Sequence, residues 1–151
     1  MTVQTPSAAA LANGNAILSL VPAAAANFKI TSVVLGMTNA GGAITDFDVT
    51  VGLNRATARG TSTTNPVVNK ADVNSGATAI LADSAWSIQP TLAASDGWFW
   101  SFNSRGGLAL NFNEWDIVSD IGTAKPLVFV QRSGASLPAA HVITITVGWL
   151  E

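Results

Sequence analysis

Apolar and polar residues alternate along the C-terminal segment HVITITVGWLE. Ile143, Ile145, Val147 and Trp149 share one face, and Thr144, Thr146 and Gly148 share the other. A period of two is the mark of a half-buried β-strand, because successive side chains point to opposite sides of a sheet. Asp46–Leu53 repeats the pattern, with Phe47, Val49, Val51 and Leu53 on the apolar face and Asp46, Asp48, Thr50 and Gly52 on the polar one. Further strands are predicted at Asn15–Val21, Phe28–Met37, Ser84–Thr91, Trp98–Asn103, Leu108–Phe112 and Leu127–Arg132. In the second of these, Ile30, Thr31, Val33 and Val34 are β-branched and suit a pleated surface. Turn residues stand between the strands. Asn13-Gly14 and Ser104-Arg105-Gly106-Gly107 mark turns, and Asn39-Ala40-Gly41-Gly42 reads as a hairpin connection.

From Asn54 to Ala82 the alternation dissolves into Thr, Ser, Asn and Gly, with a short strand expected around Thr64–Val68. Loops of that length tend to be functional or to hide a short element. Asp116–Ile121 reads as a single helical turn. Eight or nine short strands with no longer helix and no fixed-period repeat indicate an all-β, antiparallel sandwich or barrel, and the half-buried alternation favours the β-sandwich. Met1–Ala12 is small and polar and reads as an N-terminal arm, leaving 13–151 as one sandwich domain.

Composition changes the picture in one respect. Hydrophobic residues make up 48% and charged residues 11% of the 151, against a usual charged fraction of about 25%. Mean hydropathy is +0.38. Such a chain cannot cover itself with charge, so apolar surface is expected to meet another protein, most simply another copy in a homo-oligomer. A membrane is the weaker explanation. No stretch approaches the roughly 18 uninterrupted apolar residues of a spanning helix, and the run Ala16–Ala26 is broken by Ser19 and Pro22. Nucleic acid is not expected as a partner, because net charge is −2 and the seven basic residues are scattered. Arg55 and Arg59 are close in sequence and read as solvated loop charges. The chain has no cysteine, and its N-terminus lacks a basic segment before an apolar one. Both features favour a protein made and assembled inside a cell.

Little in the sequence points to catalysis. His141 is the single histidine, which leaves serine-triad and multi-histidine zinc schemes without a partner. Asp46 with Asp48, and Glu114 with Asp116, are carboxylate pairs, but nothing sets either pair across a cleft as glycoside hydrolysis requires. Asp72-Val73-Asn74-Ser75-Gly76 resembles the start of a calcium loop, yet its glycine comes one position early and an Asp occupies the twelfth place, so a plain turn is expected. No metal, cofactor or catalytic residue is assigned. The aromatic run Trp98-Phe99-Trp100-Ser101-Phe102 stands out. Trp98, Trp100 and Phe102 fall on one face, expected in the core, and Phe99 falls opposite. Phe99 is assigned to local cover, to a subunit interface, or to a carbohydrate-stacking platform, in that order.

Three stretches then carry a family resemblance. KITSVVLGMTNAGGAITDFDVTVGLNRATARGT, AWSIQPTLAASDGWFWSFNSRGGLAL and the closing ITVGWLE are similar to small structural proteins of tailed bacteriophages. The resemblance runs from about Lys29 onward and is structural in its motifs. It implies a jelly-roll-like sandwich in a virion, decorating the head or belonging to the tail, and transfers no functional site. The leading expectation is a non-enzymatic capsid decoration (cement) protein on the capsid surface. It would be assembled in the host cytoplasm, a homotrimer bound to the major capsid protein of the phage head. The alternatives are a minor tail or baseplate subunit, and a carbohydrate-binding β-sandwich used in host adsorption. Partner contacts are expected from the arm (Thr2, Val3, Gln4, Thr5, Pro6 and Leu11), by strand addition to a neighbouring subunit or the shell, and from Phe99.

Overall fold

The computed structural model describes residues 2–4, 11–22, 27–39, 41–68, 80–94, 97–113, 117–120 and 125–151. Eleven strands lie among them: β1 (Thr2–Gln4), β2 (Ala16–Val21), β3 (Lys29–Asn39), β4 (Asp48–Ala58), β5 (Thr61–Thr64), β6 (Leu81–Ile88), β7 (Thr91–Leu92), β8 (Trp98–Asn103), β9 (Gly107–Asn111), β10 (Leu127–Gln131) and β11 (His141–Leu150). All pairings between them are antiparallel.

Eight strands form the body. The smaller sheet has the order β1-β11-β3-β9, and the larger contains β2-β10-β4-β8. The chain therefore alternates between sheets through β1 to β4, stays in the larger sheet for β8, and alternates again through β9, β10 and β11. That winding is the jelly roll, two four-stranded sheets built from interleaved Greek keys. β5, β6 and β7 are an insertion between β4 and β8 that extends the larger sheet in the order β5-β6-β2-β10-β4-β7.

The period-two faces meet between the sheets. Val49, Val51, Leu53, Leu127 and Phe129 from the larger sheet pack with Val33, Leu35, Ile143, Ile145 and Val147 from the smaller. Trp98 and Trp100 line the same core as partly buried residues, and Trp100 stands 5.9 Å from Phe112 and 6.3 Å from Phe129. Register slips by one between Gly148 and Trp149, leaving Thr31 as the bulged residue of β3. Trp149 stays on the inner face and closes the end of the sandwich, its ring 6.4 Å from Phe28.

Several local expectations are corrected. Asn39–Gly42 closes no hairpin, because β3 lies in the smaller sheet and β4 in the larger. Alternation reveals which face a strand buries and is silent about which strand lies beside it. β4 continues five residues past Leu53, and the next strand is Thr61–Thr64, ahead of the Thr64–Val68 expected. Residues 117–120 are not helical. Val118 forms a β-bridge with Lys29, and Ile30 N and Ser119 N donate to Ile117 O and Phe28 O. Ile117 is fully buried, so the segment is held extended against the entry to β3.

The insertion gives the molecule a third layer. Trp86 and Leu92 pack on Ala16, Ala56, Val128 and Val130, which project from the outer side of the larger sheet. β6 runs along β2 at Leu81–Asp83 and then along β5, with Ala85 at a positive φ of 51° where it changes partner.

Candidate functional site

Each expected contact residue has a definite place or falls outside the described residues. Thr2, Val3 and Gln4 form β1 and pair with Thr146, Ile145 and Thr144 of the same chain. Strand addition expected between chains is thus made within one. Thr5 and Pro6 lie outside the described residues. Leu11 is no part of a free arm: it packs at the margin of the core, and its carbonyl accepts from Leu137 N at 2.9 Å. An apolar side chain so close to β2 finds more favourable cover against the sandwich than in solvent.

Phe99 is 59% exposed on the outer side of β8, opposite Gly52 of β4. Below it the hydroxyls of Ser101 and Thr50 are hydrogen-bonded at 2.8 Å. Asn103 Nδ2 donates to Asp46 Oδ1 at 2.6 Å. Asp46 and Asp48 are both exposed, on an open strand surface. Asp72–Gly76 and the pair Glu114 and Asp116 lie outside the described residues.

His141 is 5% exposed and is engaged by the backbone. Thr45 N donates to Nε2 at 3.1 Å, and Nδ1 lies 3.1 Å from Ala139 O. A neutral ring with its proton on Nδ1 satisfies both contacts. Phe47 meets it edge-on at 5.3 Å. The ring joins β11 to the segment leading into β4.

The most structured polar group is one that sequence reasoning misplaced. Asp83 is fully buried on the outer side of the larger sheet. Arg59 Nε donates to its Oδ2 at 2.7 Å and Nη2 to its Oδ1 at 2.8 Å. This bidentate hydrogen bonding, and secondarily the charge of Asp83, raise the Arg59 pKa above its ordinary value. With its amide turned to satisfy its neighbours, Asn65 donates to Ser62 Oγ, Thr64 O and Asp83 Oδ1. Arg55 donates to Val118 O at 2.8 Å and to Asp120 Oδ1 at 3.2 Å. Neither arginine is a solvated loop charge, because β4 extends past Leu53 and carries both into contact with the rest of the chain. Two amides complete the clasp. Asn54 exchanges hydrogen bonds with the Ala93 backbone, and Gln89 Oε1 accepts from Ala16 N at 3.0 Å.

Beside Arg59 is an open cavity of about 210 Å³ walled by Arg59, Asn65, Pro66, Val68, Ile80 and Leu81. Its only charged wall group is already bound to Asp83. Among the described residues no three His, Asp or Glu side chains are grouped to hold a metal ion. What the geometry offers is surface: Phe99 with its hydroxyl and amide neighbours, the outer side of the smaller sheet, and the sheet edges. No family model matches the chain, and no curated protein or solved structure matches it.

Proposed function

We propose that the chain is a non-enzymatic virion structural protein, a decoration subunit that binds the assembled head of a tailed phage and stabilises it. The observation that carries this reading is the use made of the polar side chains. Asp83, His141, Asn54 and Arg55 are committed to joining one part of the fold to another. The exposed surface meanwhile retains Val34, Ile88, Phe99 and Leu150. A rigid body with apolar outer side chains suits docking better than turnover. Jelly rolls recur in capsid and lectin domains, which supports the reading as a fold-level analogy. The sequence resemblance to phage structural proteins supports it too.

The mechanism is mass action. A subunit that binds the assembled lattice and not its separated parts stabilises the lattice, and a trimer multiplies weak single contacts. The partner in this reading is the major capsid protein, met on the capsid surface. Purified protein added to undecorated heads should co-sediment with them and raise their resistance to heat, while tails should retain none. Retention on tails alone would move the subunit to the tail. A second reading, carbohydrate binding during host adsorption, is favoured by the exposed Phe99 ring beside the Ser101 and Thr50 hydroxyls. A glycan screen of wild type against Phe99→Ala decides it, since only ring stacking predicts a hit that the variant loses.

A further inference from the structure

β9 ends the smaller sheet, and β3 is its one strand partner among the described residues. Among the described residues its other edge thus leaves main-chain N–H and C=O groups without a strand partner. Folded proteins usually blunt such an edge with lysine or another charge, with proline, or with a bulge, because an open edge is a template for another strand. β9 reads Gly107-Leu108-Ala109-Leu110-Asn111 and has neither charge nor proline, and its register along Ser32–Gly36 is unbroken. Gly107, Ala109 and Asn111 are exposed. Leu108 and Leu110 lie on the inner side, opposite Leu35 and Val33, and are partly buried.

The order of side chains identifies the partner. Leu-Ala-Leu is symmetric about Ala109. An antiparallel pair of β9 strands centred there sets Ala109 against Ala109, and Leu108 against Leu110 in both directions. Isologous contact about a two-fold axis demands this self-complementarity. The leucines would extend the apolar inner face across the join, and the outer face would meet only small or amide side chains. Strands β3, β9 and β11 carry one ionisable group besides His141, Lys29 at the start of β3, so these strands set no like charges against each other at the join.

We propose that β9 is a homotypic edge, by which two copies join their smaller sheets into one continuous sheet of eight strands. In a three-fold assembly the same pairing would tie one trimer to the next. It concerns copies of this chain alone and holds or fails independently of what the assembly decorates.

The lack of native cysteine makes the test direct. Directly opposed residues of an antiparallel pair have Cα atoms about 4.5–5.5 Å apart, within disulfide reach. Ala109→Cys should therefore cross-link to a dimer on mild oxidation. Thr38→Cys, exposed on the same outer face and four residues along β3 from Val34, the partner of Ala109, should not, because the two-fold sets its copies about 30 Å apart, three strand spacings across the join and eight residue rises along it. Ala109→Lys and Ala109→Glu should each sediment as the smaller, unpaired species. An equimolar mixture of the two should restore the larger species as a mixed pair, since like charges directly opposite repel and unlike ones attract. Cross-linking of Ala109→Cys no faster than the Thr38→Cys control, or charge variants that sediment as wild type, would overturn the proposal. Binding of the same variants to phage heads is a separate measurement, so failure of the edge and failure of the decoration reading remain distinguishable.

Discussion

Asp83 is a carboxylate taken wholly out of water, and two donors from Arg59 compensate its charge. Removing one member of such a pair strands the other, at a cost of about 3–5 kcal/mol. The Arg59 side chain is 35% exposed, which places the expected loss for Arg59→Met at the low end, about 3 kcal/mol. Arg59→Met combined with Asp83→Leu should recover most of it, because no buried charge is then left unpaired. Urea denaturation of the two variants checks both signs. Trp149 offers a second comparison. It closes the end of the core beside Phe28, so Trp149→Ala should cost about 3 kcal/mol, whereas Thr146→Ala on the outer face should stay within about 0.5 kcal/mol. A reversed order in thermal melts would mean that the two faces of β11 are exchanged. The inward side of Trp149 and the outward side of Phe99 were legible in the sequence because strand alternation fixes facing. The Arg59–Asp83 pair was not. Its members lie 24 residues apart, across a stretch with no periodicity to place them.

Gly60 turns the chain from β4 into the insertion. Gly60 has φ of +77°, and a Cβ there would lie 2.5 Å from Ile88 O and 2.8 Å from the Gln89 and Pro90 backbone. Gly60→Ala thus combines an unfavourable dihedral with a clash against main chain that cannot swing aside. The expected cost is above about 1 kcal/mol, falling first on β5 and β6. Hydrogen exchange should show their amides losing protection while those of β11 keep it. Uniform loss across both sheets would mean that insertion and roll unfold as one unit. At this scale the sequence conveyed the alternating strands well, since β4, β8 and β11 bury inner faces that alternation had marked. It conveyed the insertion poorly. The outer side of the larger sheet is apolar at Val128 and Val130 as well as at its inner positions, which bury Leu127 and Phe129. β10 therefore reads as a continuous apolar run, and a run without alternation says that both faces are covered without saying by what. The docking surface was the least legible part. Leu11 looked like arm and belongs to the core margin, and the symmetry of β9 has meaning only once β9 is known to end a sheet.

For the whole molecule, sparse charge and exposed apolar side chains predict self-association. Light scattering over a dilution series should report an oligomer, and a mass that stays monomeric at every concentration would exclude it. The winding of the roll also fixes when it can form. β1 pairs with β11, β2 with β10, and β3 with β11, so the first three strands to leave a ribosome find partners among the last two. Only the insertion, with β6 along β2, and the β4–β8 and β3–β9 pairs can assemble from chain already made. β1 therefore has no strand partner, and β2 and β3 each lack one neighbour, until the last two strands appear. Pairings so remote in sequence close large loops before any contact offsets the entropy of closure, which makes folding slow. Nascent chains stopped before Leu127 should consequently remain sensitive to protease along β2 and β3, and protection there should arise only once β10 and β11 have emerged. Until the last strand is free, synthesis yields a chain whose most apolar strands wait exposed, and any early encounter with another chain at that stage competes directly with the native fold.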